Sequence, residues 1–324
     1  MIRFLARRLL ASLVVLAVVV TTCFFLMRLM PGGPFDLEQS PDPVIRANLL
    51  AAYDLDAPMH EQFARYVEGL LRRGDLGPSL RYRDYDVSEI LAESLPVSLV
   101  LGGSALVLAL VFGLGAGALA AARRGSAIDT AIMSLAGLGL ALPSFVVAGV
   151  LVLLFAFHWQ LFPVVGFGSP AQLVLPAVSL AMPFAATIAR LFRAGLLEVL
   201  GEDWIRTARA KGRSPLAVLW IHAARPASIP VVSYLGPAIA GVLSGSLVIE
   251  SIFAIPGVGT HFVESALNAD YNLALGVVIV YTVLLTVANL AVDLAYNLID
   301  PRMDDGLGGG AADEAVPRRG VAAP

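Results

Sequence analysis

Sixty consecutive residues, 130–189, contain no aspartate, glutamate, lysine or arginine. A single helix of that length would be about 90 Å long at 1.5 Å per residue, against a bilayer hydrocarbon core of roughly 30 Å. The run must double back, and Trp159, Pro163, Gly166, Gly168 and Pro170 supply a cluster of breakers with an aromatic residue suited to a membrane interface. Two spans follow, about 130–157 and 172–197. Pro176 and Pro183 fall inside the second, where a bend is expected because neighbouring helices can satisfy the carbonyls a proline frees.

Further uncharged runs cover residues 9–27, 94–122 and 226–249. With a last apolar segment at 273–299, they complete six expected spans: 9–29, 96–122, 130–157, 172–197, 226–252 and 273–299. At 58% hydrophobic and 15% charged residues, with mean hydropathy +0.80, the chain is far more apolar than a soluble domain, whose charged fraction is nearer a quarter. Arg3, Arg7 and Arg8 precede the first run, which is long for a cleaved signal and lacks a small-residue cleavage pattern after it. Gly113 with Gly117, and Gly241 with Gly245, are four apart, a spacing that lets a neighbouring helix approach closely.

Charge sets the expected orientation. Residues 31–95 hold six arginines against twelve carboxylates, which suits the outer side. Within them Phe63, Tyr66, Val67, Leu70 and Leu71 share one face of a helix that follows Pro58 and ends at Gly74, the pattern of a small packed cap rather than a ligand site. Arg123 and Arg124 mark an inner turn. Residues 190–225 carry seven basic side chains against three acids, again inner, and Asp300, Pro301 and Arg302 close the sixth span on that side. The expected fold is therefore an all-α membrane protein of six helices with both termini cytoplasmic. It comprises a membrane domain (1–303) with its outer cap segment, and a disordered tail (304–324) rich in glycine, alanine and proline.

Residues 198–226 form a long charged insertion at the inner side. Asp203 can cap a helix through Trp204, Ile205, Ala208 and Ala210, and Gly212 breaks it, because glycine enters left-handed backbone without strain. Ser214 and Pro215 then offer an N-cap and first position for a second short helix, about 216–224, which Pro226 is expected to stop. Arg206, Arg209, Lys211 and Arg213 gather near the bend. Taken locally, this basic corner suits a nucleic acid, a lipid surface or a protein partner. Tethering at both ends to spans, together with Glu198, Glu202 and Asp203, argues against nucleic acid.

Catalytic chemistry is sparse. The only lysine, Lys211, follows an alanine, so no Gly-Lys-Ser/Thr phosphate loop exists. His60, His158, His222 and His261 are scattered, no zinc-binding pair is spaced on a helix, no nucleophile elbow is present, and the single cysteine, Cys23, reads as a small buried apolar residue. No enzyme activity, metal or cofactor is expected. An ion-coupled carrier would need a carboxylate near the membrane midplane. Glu250 lies too close to the outer end of its span for that role. Asp293, near Asn289, lacks a relay partner, so structural hydrogen bonding is the better reading of both.

The order Arg206, Thr207, Ala208, Arg209, Ala210, Lys211, Gly212, followed by His222, Ala223, Arg225 and Pro226, resembles the cytoplasmic coupling loop of importer-type ABC transporter permeases. The general pattern is Glu-Ala-Ala, three residues, then Gly; Arg206 and Thr207 replace its first two positions, as in the peptide and nickel branch. Asp75, Leu76 and Gly77 also match that branch. So do Pro143, Ser144 and Phe145, then Glu250, Phe253, Pro256, Gly257 and Gly259, and finally Asp293, Tyr296, Asp300 and Pro301. Residues 81–87 are most similar to the B-type subunits of oligopeptide permeases. The resemblance implies a multi-pass subunit of the bacterial inner membrane. Its partners would be a homologous second permease, two cytoplasmic ATPase subunits that dock on residues 198–226, and an external substrate-binding protein. It implies peptide as cargo, with dipeptides, nickel or glutathione as alternatives.

Overall fold

The computed structural model of the protein describes residues 2–29, 43–82 and 84–299. Five of its helices are long and apolar enough to cross a membrane, and a bent pair supplies a sixth if it counts as one span. They are α1 (Ile2–Leu29), α4 (Val87–Ala122), α7 (Pro170–Val199), α11 (Ile229–Ile252) and α13 (Tyr271–Ile299). Shorter helices are α2 (Pro43–Ala52), α3 (Met59–Arg73) and α12 (Val258–Leu267). The bent pair is α5 (Ala127–Ala141) and α6 (Ser144–Leu151), the latter running on as a π-helical segment, Val152–His158. The segment between α7 and α11 holds α8 (Asp203–Ala210), α9 (Pro215–Ala217) with a π-helical continuation (Val218–Ala223), and α10 (Ala224–Ala227).

The bundle is organised around α7, and glycines decide which helices reach it. A β-carbon on Gly113 would lie 2.7 Å from Ile188 and 2.9 Å from the Ala185 carbonyl, and one on Gly117 would lie 2.6 Å from the Ala189 carbonyl, so α4 packs backbone to backbone on α7. From the other side, β-carbons on Gly241 and Gly245 of α11 would meet Phe184 at 2.7 Å and Leu180 at 3.0 Å. Leu180, Ile188, Phe192 and Leu196 of α7 are accordingly buried in one core with Leu101, Val231, Val242 and Ile249. A second apolar cluster joins α1 to α13 through Val20, Phe24, Leu273, Leu275, Val277 and Ile279.

The outer cap sits on that second cluster. Phe63, Tyr66 and Leu70 of α3 pack against it, with the Phe24 and Phe63 rings edge to face at 5.1 Å. The Arg28 guanidinium lies 3.6 Å above the Phe24 ring and donates from Nε to Gln62 Oε1 at 2.7 Å, while Gln62 Nε2 donates to the carbonyls of Leu55 and Ala57. Gly74 ends α3 at φ +66, where its N–H and that of Asp75 return to the last turn. Leu71 departs from the expected face: it is 79% exposed, because it sits beyond the edge of the stripe that Phe63, Tyr66 and Leu70 define.

Several boundaries differ from those read in the sequence. Pro96 lies inside α4, which begins at Val87 with Asp86 and Glu89 in a reciprocal capping box. The cap and the burial of Val87, Ile90 and Leu91 hold the turns before the proline, and at about 1.5 Å per residue the helix outruns a bilayer core. The third span is not straight: it bends by 108° between α5 and α6, and Pro143, which lacks an N–H to continue α5, stands at the N-cap of α6. Pro226 does not stop a helix either. It lies within α10, and the break comes at Ser228.

Candidate functional site

The stretch 198–226 is anchored through one residue of its first arm and three of its second, and exposes most of the others. Ile205 of α8 is fully buried in the main core, with Val218, Leu219 and Ala223 of the second arm and Phe192 and Leu196 of α7. The N-cap of α8 is Glu202, not Asp203. Asp203 is the first helical residue, and its carboxylate pairs instead with Arg206 Nη1 at 3.1 Å on the exposed face. Thr207 Oγ1 donates to the Asp203 carbonyl, and Ala208 leans on the core. Arg209, Ala210, Lys211, Gly212 and Arg213 are exposed.

Gly212 has φ +76, and a β-carbon there would meet nothing within 4 Å. The corner is thus a requirement of backbone handedness rather than of space. Ser214 Oγ accepts from the Ala217 N–H, as an N-cap does, but the second arm soon widens into a π-helix. That extra residue per turn lets Val218, Leu219 and Ala223 point inward while Trp220 and Ile221 stay 51% and 66% exposed. Together with the half-exposed Trp204, they give the basic corner an apolar, aromatic surface next to its charges. A β-carbon on Gly195 of α7 would lie 2.6 Å from the Ala227 carbonyl, so the second arm returns directly onto the inner end of α7.

A second group of sequence-selected residues meets at the C-terminal end of α11. Glu250 is fully buried, and its Oε2 accepts from the Gly259 N–H at 2.7 Å. Ser98 Oγ of α4 accepts from the Val258 N–H at 2.9 Å. A β-carbon on Gly257 would overlap both the Glu250 carboxylate and the Ser98 hydroxyl, and one on Gly259 would lie 2.6 Å from Leu247 Cα. The two glycines form a notch that the carboxylate fills, fastening the turn between α11 and α12. Glu250 Oε1 is buried with no hydrogen-bond partner among the described residues. Pro256, at the exposed tip of the turn, borders a cavity of about 350 Å³ with Tyr82, Glu93 and His261.

Asp75 and Gly77 shape the turn from α3 to α4, and the residues that follow them reach α12 and the start of α13. Gly77, at φ +83, donates its N–H to Asp75 Oδ1 at 2.8 Å, and its carbonyl accepts from the Val87 N–H. Asn272 Nδ2 donates to the Pro78 carbonyl, Ser79 Oγ donates to the buried Asp270 carboxylate, and Tyr82 OH donates to Glu264 Oε2 at 2.8 Å. Burial, then the neighbouring Glu264 carboxylate, pushes the Tyr82 phenol up to about 12. Burial holds the His261 imidazole below its ordinary range, against the opposing pull of Glu264.

Asp293 lies in α13, and its side chain is outside the described residues, as are Asp300, Pro301 and the tail from 304. Sequence reasoning passed over Asp129 and Arg193, which form a forked ion pair between the first turn of α5 and α7, with Nε to Oδ1 and Nη2 to Oδ2 both 2.7 Å. The available signal was Asp129 itself, an acid in the first turn of a span right after two arginines.

The chain matches two family descriptions, the N-terminal part of binding-protein-dependent transport system membrane components over residues 1–101 and the binding-protein-dependent transport system inner membrane component over residues 113–305. It is 44% identical over 305 residues to the oligopeptide transport system permease protein OppB of Haemophilus influenzae, covering 94% of this chain and 99% of that one. It is 42% identical over 307 residues to OppB of Escherichia coli, and 42% identical over 303 residues to the dipeptide transport system permease protein DppB of Bacillus subtilis, again over 94% of this chain and nearly all of each relative. Among solved structures, a chain of the inward-facing MetNI methionine ABC transporter shares the fold, with TM-score 0.55 and 18% identity over 66% of this chain and 97% of that chain.

Proposed function

The chain belongs to the family of binding-protein-dependent transport system inner membrane components, and from that premise we propose that it forms one half of a peptide-conducting path in an ATP-driven importer. It is a permease subunit of the inner membrane, a transport component rather than an enzyme. The family works with a second permease, ATPase subunits and a substrate-binding protein. In this reading both termini are cytoplasmic, the second permease is homologous, two ATPases dock on residues 198–226, and the binding protein docks on the outer cap.

One observation carries the cargo class: identity of 42–44% to oligopeptide permease proteins across 94% of the chain. The same share at 42% identity to a dipeptide permease protein supports a peptide backbone as the common feature while leaving dipeptides as the second reading. The docking role rests on the shape of the inner stretch. Buried Ile205 fastens it to the core, while Arg206, Arg209, Lys211 and Trp220 face outward as a mixed basic and aromatic surface of the kind enriched at protein interfaces. A rigid element seated in a partner's groove passes rigid-body rotation to the spans it joins.

The test is reconstitution of the chain with its partner subunits in vesicles and measurement of ATP-dependent uptake of labelled oligopeptide, dipeptide, nickel and glutathione. Uptake of oligopeptide in preference to the others is expected. Transport of nickel or glutathione alone overturns the peptide reading.

A further inference from the structure

At the inner side, α7 is a junction. On one flank, Gly195 abuts the Ala227 carbonyl, while Phe192 and Leu196 share a core with Ile205, so the coupling stretch bears directly on this turn. Arg193, in the same turn, reaches α5: its guanidinium grips the Asp129 carboxylate with both prongs at 2.7 Å. Asp129 is only 4% exposed and also accepts from the Gly125 N–H at 2.9 Å, so the one carboxylate holds the inner turn as well. Higher up, α5 meets α7 where a β-carbon on Gly139 would lie 3.3 Å from Ala186 and 3.6 Å from Met182, a smooth apolar contact along which helices can slide. A two-pronged planar pair transmits rotation as well as translation, which neither a single point charge nor a smooth apolar contact does.

We propose that the Asp129–Arg193 pair is the positioning element that carries motion of the coupling stretch from α7 into α5, so that the bent span of α5 and α6 follows each ATP-driven rotation. The inference rests on the docking reading of residues 198–226 and adds a second link inward from it. Without the fork, α7 would still move with the ATPases, and α5 would lag.

The experiment uses the full complex in vesicles, with ATP hydrolysis and peptide import measured on the same preparation. Asp129→Asn keeps the side-chain shape and an acceptor for the Gly125 N–H, while Arg193→Lys keeps the charge and loses the fork. Each is expected to leave hydrolysis within about twofold of the parent, leave the KM for peptide unchanged, and lower peptide imported per ATP by roughly fivefold or more. Asp129→Glu, which restores a carboxylate, is expected to recover part of the ratio. An unchanged ratio, hydrolysis and import falling together, or failure of the variants to assemble assigns the pair to holding the fold and overturns the inference. A parent complex that shows no ATP-driven import overturns the importer reading instead.

Discussion

The Glu250 carboxylate occupies the space that side chains on Gly257 and Gly259 would fill, and its Oε2 holds the Gly259 N–H at 2.7 Å. A buried acid here is a fastener for a turn. It lies at the outer end of its helix, packed against backbone, which accounts for its cost in a membrane protein without a transported ion.

Glu250→Gln should therefore be mild, since an amide oxygen can still accept from Gly259. Glu250→Ala leaves that N–H unpaired in a buried site, at a cost of about 1–3 kcal/mol. Thermal unfolding of the purified chain in detergent reads the difference, and equal midpoints for the two variants would refute this account.

Gly259→Ala forces a methyl toward Leu247 Cα, a backbone atom that cannot swing away. Overpacking of this kind costs about 1–3 kcal/mol. Gly103→Ala, in α4 with nothing within 4 Å of the added carbon, should leave the unfolding midpoint level or raise it slightly, since alanine is the better helix former, and serves as the control.

Gly212→Val should uncouple ATP hydrolysis from import without loss of the fold. Valine at φ +76 is strained by about 1–2 kcal/mol, and no neighbour clashes, so the penalty falls on the corner of the coupling stretch alone. Undiminished peptide uptake per ATP in vesicles would refute it.

The outer region should loosen in mild acid. Burial keeps His261 neutral to a lower pH than a free imidazole, whose ordinary value is 6.5. The unfolded chain binds the proton first as pH falls, so this contribution is intact above about pH 6.5 and diminishes below it. Unfolding midpoints at pH 5.5 and 8, compared between the parent and His261→Gln, should show a smaller acid-side drop in the variant.

Much of the fold was legible because glycine spacing is a direct record of helix contact. Gly113 with Gly117, and Gly241 with Gly245, lie at the close approaches to α7, and Gly74 and Gly212 have the left-handed φ that their positions required. What remained illegible depends on partners distant in sequence. Residue type does not distinguish Pro96, which sits inside a helix, from Pro143, which stands at a 108° bend; the difference lies in the Asp86–Glu89 cap and the packing of Val87, Ile90 and Leu91 before the first. Asp203 looked like a cap because its type suits one, yet the chain turns one residue earlier and leaves its carboxylate to Arg206. The Glu250 notch was visible as a set of residue types, but its contact with Ser98 joins positions 160 apart in the chain.

The open surroundings of Gly212 mean that what is forbidden there is a hand and not a volume. A D-alanine installed at that position by semisynthesis would favour the positive φ the corner already has, while L-alanine, whose β-carbon meets no neighbour, would still resist it. The bend between the two arms is in that sense a chiral filter written into the backbone, one that a β-carbon fails by its configuration and not by collision.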